Sequence, residues 1–431
     1  MLDIKFIREN KDVVDRAQKI KKVKKVVDLD HLLSLSDERK SLSQQRDELN
    51  TRKNQAAKDR NIEEGGKIKA ELQALEEKYK TVDKEYVSLM LELPNIPSPD
   101  TPVGVDDSDN KVLRTWGEKP AFAFKPKEHF EIGTELGIID NETAGETSGA
   151  RFTFLKGDLA LMQFALIQFV IETLTNQEKI KEIIEKAGLD IDPKAFVPVV
   201  PPVMVKPAVY NRMARLEPRE DKYHIEADDI WLTGSAEHTM GAMYMDKTID
   251  ESMLPLRFIG YSTAFRREAG SYGKDTKGIL RMHQFDKLEM ETFSLPEYSV
   301  HEQDFLVAIQ EHLMQALKIH YQVVSVCTGD MGIPDYRQID IETWMPGQDT
   351  YRETHSADLT TSYQSRRLNS KVKRVDGETD FVHMNDATAF AIGRILIGII
   401  ENYQLEDGTI KVPEILQKYM GGKDLITKVQ A

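Results

Sequence analysis

The sequence predicts an α+β fold, an antiparallel sheet flanked by helices, preceded by a long antiparallel helical hairpin. Three observations carry that prediction. Apolar residues recur every seven positions along two stretches between residues 35 and 93. Prolines at 94, 97, 99 and 102 break the chain beyond them. From residue 111 onward, stretches rich in Val, Ile, Phe and Trp follow one another at hairpin spacing, with helical patterns between them.

The first predicted domain spans residues 1–100. Lysines cluster at Lys19, Lys21, Lys22, Lys24 and Lys25. Leu35, Leu42, Leu49 and Ala56 then repeat at seven, with Arg39, Arg46 and Lys53 between them. The second stretch reads Ile68, Leu72, Leu75, Tyr79, Val82, Tyr86, Leu89 and Leu93, in alternating steps of four and three. That is the seam of a two-helix coil. Gly65 and Gly66 lie between the two patterns and predict the reversal. Helices of roughly 30 residues, at about 1.5 Å per residue, make a hairpin about 45 Å long. Heptads of this kind serve assembly as readily as they serve a ligand. The Pro-rich stretch, with Gly104 and the acidic Asp106, Asp107 and Asp109 after it, predicts a boundary. The second domain is expected over 111–431.

Composition removes several classes of function. A chain of 431 residues with 40% hydrophobic and 30% charged content is expected to be soluble, in two or three domains. Its net charge of −14 argues against nonspecific nucleic-acid binding, so any RNA contact must come from local basic patches. The one cysteine, Cys327, excludes a disulfide framework and a multi-cysteine zinc site, and no zinc is expected. The cytoplasm is the simplest compartment. The first fourteen residues mix charge into every turn, and the apolar run 395–400 is too short to span a bilayer, so no membrane is expected.

Within the second domain, residues 159–175 read as a buried helix. Strands are expected over 198–205 and around 231, 258, 285, 323 and 340. No Gly-x-Gly-x-x-Gly or Walker loop follows a strand, so a nucleotide would need a different fold. The stretch 258–291 is the most informative. Phe258, Ile259 and Tyr261 start a strand that runs into Phe265-Arg266-Arg267-Glu268. A loop with glycines at 270, 273 and 278 and basic Lys274, Lys277 and Arg281 follows. A second strand then alternates Phe285, Lys287, Glu289 and Glu291. Two strands joined by a basic, Gly-rich loop suit a polyanion held over a sheet, with arginine gripping phosphate and an aromatic ring stacking on a base.

This order, Phe-Arg-x-Glu, Gly-rich loop, Arg-x-His-Gln-Phe, resembles the second signature motif of class II aminoacyl-tRNA synthetases, in the form of the seryl-tRNA synthetase family. Val199-Val200-Pro201-Pro202 resembles the first motif and Phe390-Ala391-Ile392-Gly393-Arg394-Ile395 the third, in the family's chain order. Leu232-Thr233-Gly234-Ser235-Ala236-Glu237 resembles the family's Thr-Ala-Glu serine-binding segment, with Ser235 for the threonine. Residues 327–332 and 340–344 resemble two family strands, and 350–356 the segment that contacts ATP and magnesium. Departures stand at Thr354-His355, where Ile/Val-Ser is usual, at Asp386-Ala387, where Asn-Gly is usual, and across 210–224.

The resemblance implies ATP-dependent activation of serine and its transfer to tRNA(Ser) through seryl-adenylate, with tRNA(Sec) as a further acceptor. It implies ATP binding by Arg266, Arg267, Glu268, Phe285, Glu353, Thr354, His355, Ser356 and Arg394, with Arg266 and Arg394 catalytic. Serine would be held by Ser235, Ala236, Glu237, Arg266, Glu289 and Thr388, and Mg2+ by Glu353 and Ser356. It also implies a homodimer with Pro202 at the interface, although the apolar run 196–205 equally suits a core strand. Two other readings stand beside it: a catalytically inactive tRNA-binding paralogue, and a coiled-coil assembly protein with an unrelated body.

Overall fold

The computed structural model describes residues 1–269 and 277–429. Gly270, Gly273 and Lys274 of the predicted loop lie outside them. The chain forms two compact units, Met1–Pro97 and Ser98–Ala431.

The first unit holds α1 (Ile4–Glu9), α2 (Lys11–Ile20), α3 (Leu29–Lys58) and α4 (Ile62–Glu92). The Asp28 carboxylate caps α3 by accepting the Asp30 and His31 amides, which satisfies two orphan donors of the first turn. The long pair α3 and α4 packs antiparallel. Near its tip Ala56, Ile68 and Leu72 form a small core with Leu49. Its middle is held by arginine on tyrosine. Arg39 sits 4.1 Å from the Tyr86 ring centroid and ion-pairs with Asp83, and Arg46 sits 5.5 Å from Tyr79. Arginines between the leucine positions therefore pack as well as charge the seam.

The reversal falls earlier than the glycines predict. The turn occupies residues 59–61, and Gly65 and Gly66 lie inside α4. Asn61 decides this by accepting the Glu64 amide as N-cap, with Glu63 and Glu64 complementing the helix dipole. A good cap and an acidic first turn outweigh about 1 kcal/mol per helical glycine. In the lysine cluster Lys21 is buried, whereas Lys19, Lys22, Lys24 and Lys25 are exposed.

The second unit is built on an eight-stranded sheet. Its strands in chain order are β1 (Lys111–Trp116), β2 (Val197–Val199), β3 (Leu256–Phe265), β4 (Gln284–Ser294), β5 (Tyr321–Ser325), β6 (Arg337–Met345), β7 (Thr350–Thr361) and β8 (His383–Ala391). The spatial order is β1-β5-β6-β7-β8-β4-β3-β2, antiparallel throughout except for β2 on β3. Helices α5 (His129–Glu135), α6 (Asp158–Leu174), α7 (Gln177–Ala187), α8 (Ser299–Ala316) and α9 (Ile392–Asn402) accompany it. One sheet face, carrying Ile259, Leu288, Met290, Ile339, Ile341, Ala357 and Ala387, joins the helices in the main core. The period-2 alternation turns Lys287, Glu289, Asp340, Ser356, Asp358, Asp386 and Thr388 to the other face. That polar face is where chemistry can occur.

Two strand expectations change. The predicted strand 198–205 is two short strands, Val197–Val199 and Met204–Val205, in different sheets. Pro201 and Pro202 have no amide proton, so the ladder cannot run through them. Strands β7 and β8 were legible only as motifs. Both carry polar residues on the face that a solvent-lined strand would expose, so neither reads as a buried run. Among the described residues no single helix is long and apolar enough to cross a membrane.

Candidate active site

The β3–β4 hairpin builds the floor of one cleft. Its register sets Phe285 opposite Ala264, Lys287 opposite Ser262 and Glu289 opposite Gly260. Arg266 leaves the end of β3, where its Nε donates to the Gly234 carbonyl at 3.1 Å. Its guanidinium carbon lies 5.4 Å from the centroid of Phe285. Arg281 pairs with Glu268 at 3.3 Å across the loop stem. From the opposite side comes Arg394, in the first turn of α9. It donates to the Glu353 carbonyl at 2.7 Å and lies 3.0 Å from the Glu353 carboxylate. Both arginines line the same cleft, with Glu268, Phe285, Glu353, Thr354, Ser356 and residues 279–282.

Charged groups gather at the other end of the cleft. Lys287 Nζ is 2.5 Å from Glu289 and 3.0 Å from Ser235 Oγ, which donates in turn to Glu289. Burial pushes the Glu289 carboxyl up to about 8, against the opposing pull of Lys287. Glu237 pairs with His238 at 3.2 Å. Burial opposes its charge, but His238, Lys287 and Arg215 hold its carboxyl well below the usual range. Thr388, Asp386, Asp358 and Arg215 complete this end. A small zwitterion with a hydroxyl meets both charge signs and several hydrogen-bonding groups here.

The described stem of the basic loop is anchored from behind. Ile279 donates its amide to His129 Nε2 at 3.2 Å, and His129 Nδ1 faces Glu401 at 3.2 Å. Since Nε2 accepts, the proton is assigned to Nδ1, where the carboxylate receives it. Glu401 also accepts the His129 and Gly347 amides. Gly278, at φ +69°, allows the close approach, because a Cβ there would lie 2.0 Å from His129 Nε2.

The cleft brings together Arg266, Glu268, Phe285, Glu353, Thr354, Ser356, Arg394, Glu237, Glu289 and Thr388 from the sequence reading. Four expected residues do not line it. Arg267 is exposed, with its guanidinium 6.0 Å from the Tyr223 ring. Ser235 is buried behind Lys287 and Glu289 and reaches the cleft through its hydrogen bonds to them. Ala236 is core, in a cluster with Met240 and Phe258.

His355 is a clear correction. A bulge between the Ile341 and Glu342 pairings leaves Thr354 as the extra residue of β7, so His355 points to the core side with Ala357. There it lies 5.7 Å from Phe390 and is 1% exposed. Sequence reading missed Arg215 and Asp358, and His129 behind the loop. Arg215 belongs to the stretch that follows the family pattern loosely, and no local pattern announces its partner.

For a hard cation the oxygen donors Asp340, Glu342, Glu353 and Ser356 are neighbours on β6 and β7. Burial, and then the nearby Glu353 charge, pushes Asp340 well above the usual carboxylate range. Among the described residues no three acidic, His or Cys side chains converge as a complete metal cage. A magnesium ion that arrives with phosphates needs only one or two protein carboxylates, and this donor set fits that need.

A sheet of this kind, with an arginine after one hairpin strand and another opening a helix, defines the class II aminoacyl-tRNA synthetases. Residues 222–403 match the family model "tRNA synthetase class II core domain (G, H, P, S and T)". The prolyl-tRNA synthetase of Giardia lamblia, solved with prolyl-adenylate, shares the fold at 12% identity and TM-score 0.53, over 68% of this chain and 57% of that one. Residues 1–97 match the "Seryl-tRNA synthetase N-terminal domain" model. The serine–tRNA ligase of Symbiobacterium thermophilum is 37% identical over 97% of this chain and 98% of its own. The crystal structure of the seryl-tRNA synthetase of Pyrococcus horikoshii complexed with ATP superposes at TM-score 0.87, with 35% identity and all of both chains covered. The chain belongs to the seryl-tRNA synthetase family.

Proposed function

We propose that the protein activates serine with ATP and transfers it to tRNA(Ser). The observation that carries this is one cleft joining two arginines, suited to a triphosphate, to a cluster of paired charges. In the first step a serine carboxylate oxygen attacks the α-phosphorus of ATP. The bond to the bridging oxygen breaks, pyrophosphate leaves, and seryl-adenylate remains. In the second step a hydroxyl of the terminal tRNA ribose attacks the acyl carbon and loses its proton, and AMP departs. Both steps gather negative charge on oxygen, which fixed cations stabilise.

Arg266 holds the α-phosphate and Arg394 the γ-phosphate. Phe285 stacks on adenine beside Glu268. Glu353 and Ser356 would hold Mg2+, which would neutralise phosphate charge. Glu237, Glu289 and Thr388 surround serine, and Ser235 orients Glu289 from behind. Alanine would leave these buried polar groups without a partner and is rejected on that account.

The long α3–α4 hairpin, with exposed Lys19, Lys22, Lys24 and Lys25 on the same unit, suits an RNA backbone read through shape and phosphate. A homodimer through the Pro202 segment is supported by apolar side chains left on the surface. Val197 is 53% and Val200 83% exposed, and Phe164 on α6 is 55% exposed. The cytoplasm suits such an activity.

Serine-dependent exchange of pyrophosphate into ATP tests the first step, and charging of tRNA(Ser) and tRNA(Sec) in parallel tests the second. An inactive paralogue would show neither exchange nor charging.

A further inference from the structure

The amino-acid end of the cleft has a wall whose charges are unusually arranged. Asp358 on β7 and Asp386 on β8 stand directly opposite each other across the two strands. Like charges in that position repel and destabilise a sheet. One guanidinium bridges them. Arg215 Nη2 lies 3.2 Å from Asp386, 3.6 Å from Asp358 and 3.9 Å from Asp335. Its side chain is 18% exposed and lines the cleft with Glu237, Lys287, Glu289 and Thr388. Burial opposes the Arg215 charge, yet the surrounding carboxylates hold its pKa well above the ordinary arginine value. Burial pushes Asp386 up to about 7, and Arg215 is the strongest influence pulling it back.

The remaining charges leave room for a ligand. Lys287 is committed to Glu289, and Arg215 is shared among three aspartates. The wall is therefore short of positive charge, and the missing charge is what an α-ammonium group supplies. The two stretches that depart from the family's usual residues, 210–224 and 386–387, meet at the Arg215–Asp386 contact. A carboxylate at 386 is compatible with burial opposite Asp358 because an arginine is present to bridge the pair.

We propose that Arg215 is a positioning residue for the amino-acid substrate: by bridging Asp358 and Asp386 it fixes them as the anionic wall that receives the α-ammonium beside Glu289 and Thr388. The proposal rests on the reading of this end of the cleft as the serine pocket. Arg215 acts through the two aspartates, and the phosphate end of the cleft does not depend on it.

The test is pyrophosphate exchange by the full-length protein, with KM measured separately for serine and ATP. Arg215→Met keeps length and removes charge. It is expected to raise the serine KM tenfold or more and to leave the ATP KM within twofold. Adding Asp386→Asn removes the like-charge pair but also one carboxylate of the wall, so the double variant is expected to keep a serine KM raised tenfold or more. An unchanged serine KM in Arg215→Met overturns the proposal. So does a defect shared equally by ATP, or one that Asp386→Asn repairs to the parental serine KM, since a merely structural role in relieving the like-charge pair predicts those results. If Arg215→Met does not fold, as judged by thermal melting, the double variant and Arg215→Lys carry the comparison. The lysine keeps the charge but cannot bridge two carboxylates, and a parental serine KM there would also overturn the proposal. A parent protein with no serine-dependent exchange would refute the pocket reading, and this inference with it. An active parent with an unaltered Arg215→Met variant refutes this inference alone.

Discussion

His355 offers a test in which two assignments of one residue predict opposite results. The family motif makes it an ATP contact, whereas the bulge at Thr354 turns it into the core against Phe390. Burial lowers its pKa from 6.5 to about 3. The unfolded chain takes up a proton as pH falls through 6.5, but the native protein does so only near 3. Stability from the neutral imidazole is therefore fully present above pH 6.5 and is lost as pH falls toward 3. At pH 5 the loss is about 2 kcal/mol, growing toward about 5 kcal/mol near pH 3.

Replacing His355 by Leu removes this one titration. Thr354 keeps its contacts to Thr343 and to the Ile341 carbonyl, so no hydroxyl is stranded. The assay is urea unfolding at pH 8 and pH 5, followed by tryptophan fluorescence. Trp116, Trp231 and Trp344 are the only tryptophans and all lie in the second unit, so the signal reports that unit. His238 and His383 are also lowered by burial, to about 4, and contribute equally to parent and variant. Between pH 8 and pH 5 the variant is expected to lose about 2 kcal/mol less than the parent, with the ATP KM within twofold. Identical pH dependence in both proteins would refute the argument. A large rise in ATP KM with no change in pH profile would restore the motif's assignment.

Arg266→Ala and Arg394→Ala are each expected to slow pyrophosphate exchange by about 100-fold or more while leaving the melting temperature near the parent's, and full activity in either would remove that residue from the mechanism. Gly278→Ala drives a Cβ into His129 at a positive-φ position, so the ATP KM is expected to rise about 10- to 100-fold, and an unchanged KM would mean the loop stem does not position the nucleotide. Deletion of residues 30–92 should spare serine-dependent exchange and abolish tRNA charging, whereas loss of both would make the hairpin structural. Glu302→Gln breaks the buried bidentate pair with Arg257, in which one side chain is 0% and the other 2% exposed. It is expected to destabilise the second unit by about 3–5 kcal/mol in the same fluorescence assay.

Local patterns in this chain speak for themselves where one face is apolar and the other wet. The heptads of α3 and α4 and the alternation of β4 are of that kind, because each residue's environment follows from its position within one element. The order of Arg266, Phe285, Glu289 and Arg394 along the chain likewise pointed to one site, and all four line the same cleft, since motifs keep their spacing wherever the fold brings them.

Tertiary structure decided what depends on a neighbour from elsewhere in the sequence. Asn61, with Glu63 and Glu64, moved the hairpin turn away from Gly65 and Gly66, because a satisfied cap and an acidic first turn together outweigh two poor helix formers. Strands β7 and β8 hide from any apolar pattern because their polar residues line a buried cleft. One extra residue at Thr354 inverted the facing of His355, and a bulge shows itself only in the pairing of β6 with β7. Arg215 lies 171 positions from Asp386, and only the fold sets that guanidinium between Asp358 and Asp386. Chain order carried the motifs, but the charge at each position is balanced by whatever the fold sets against it, and that partner is not written nearby.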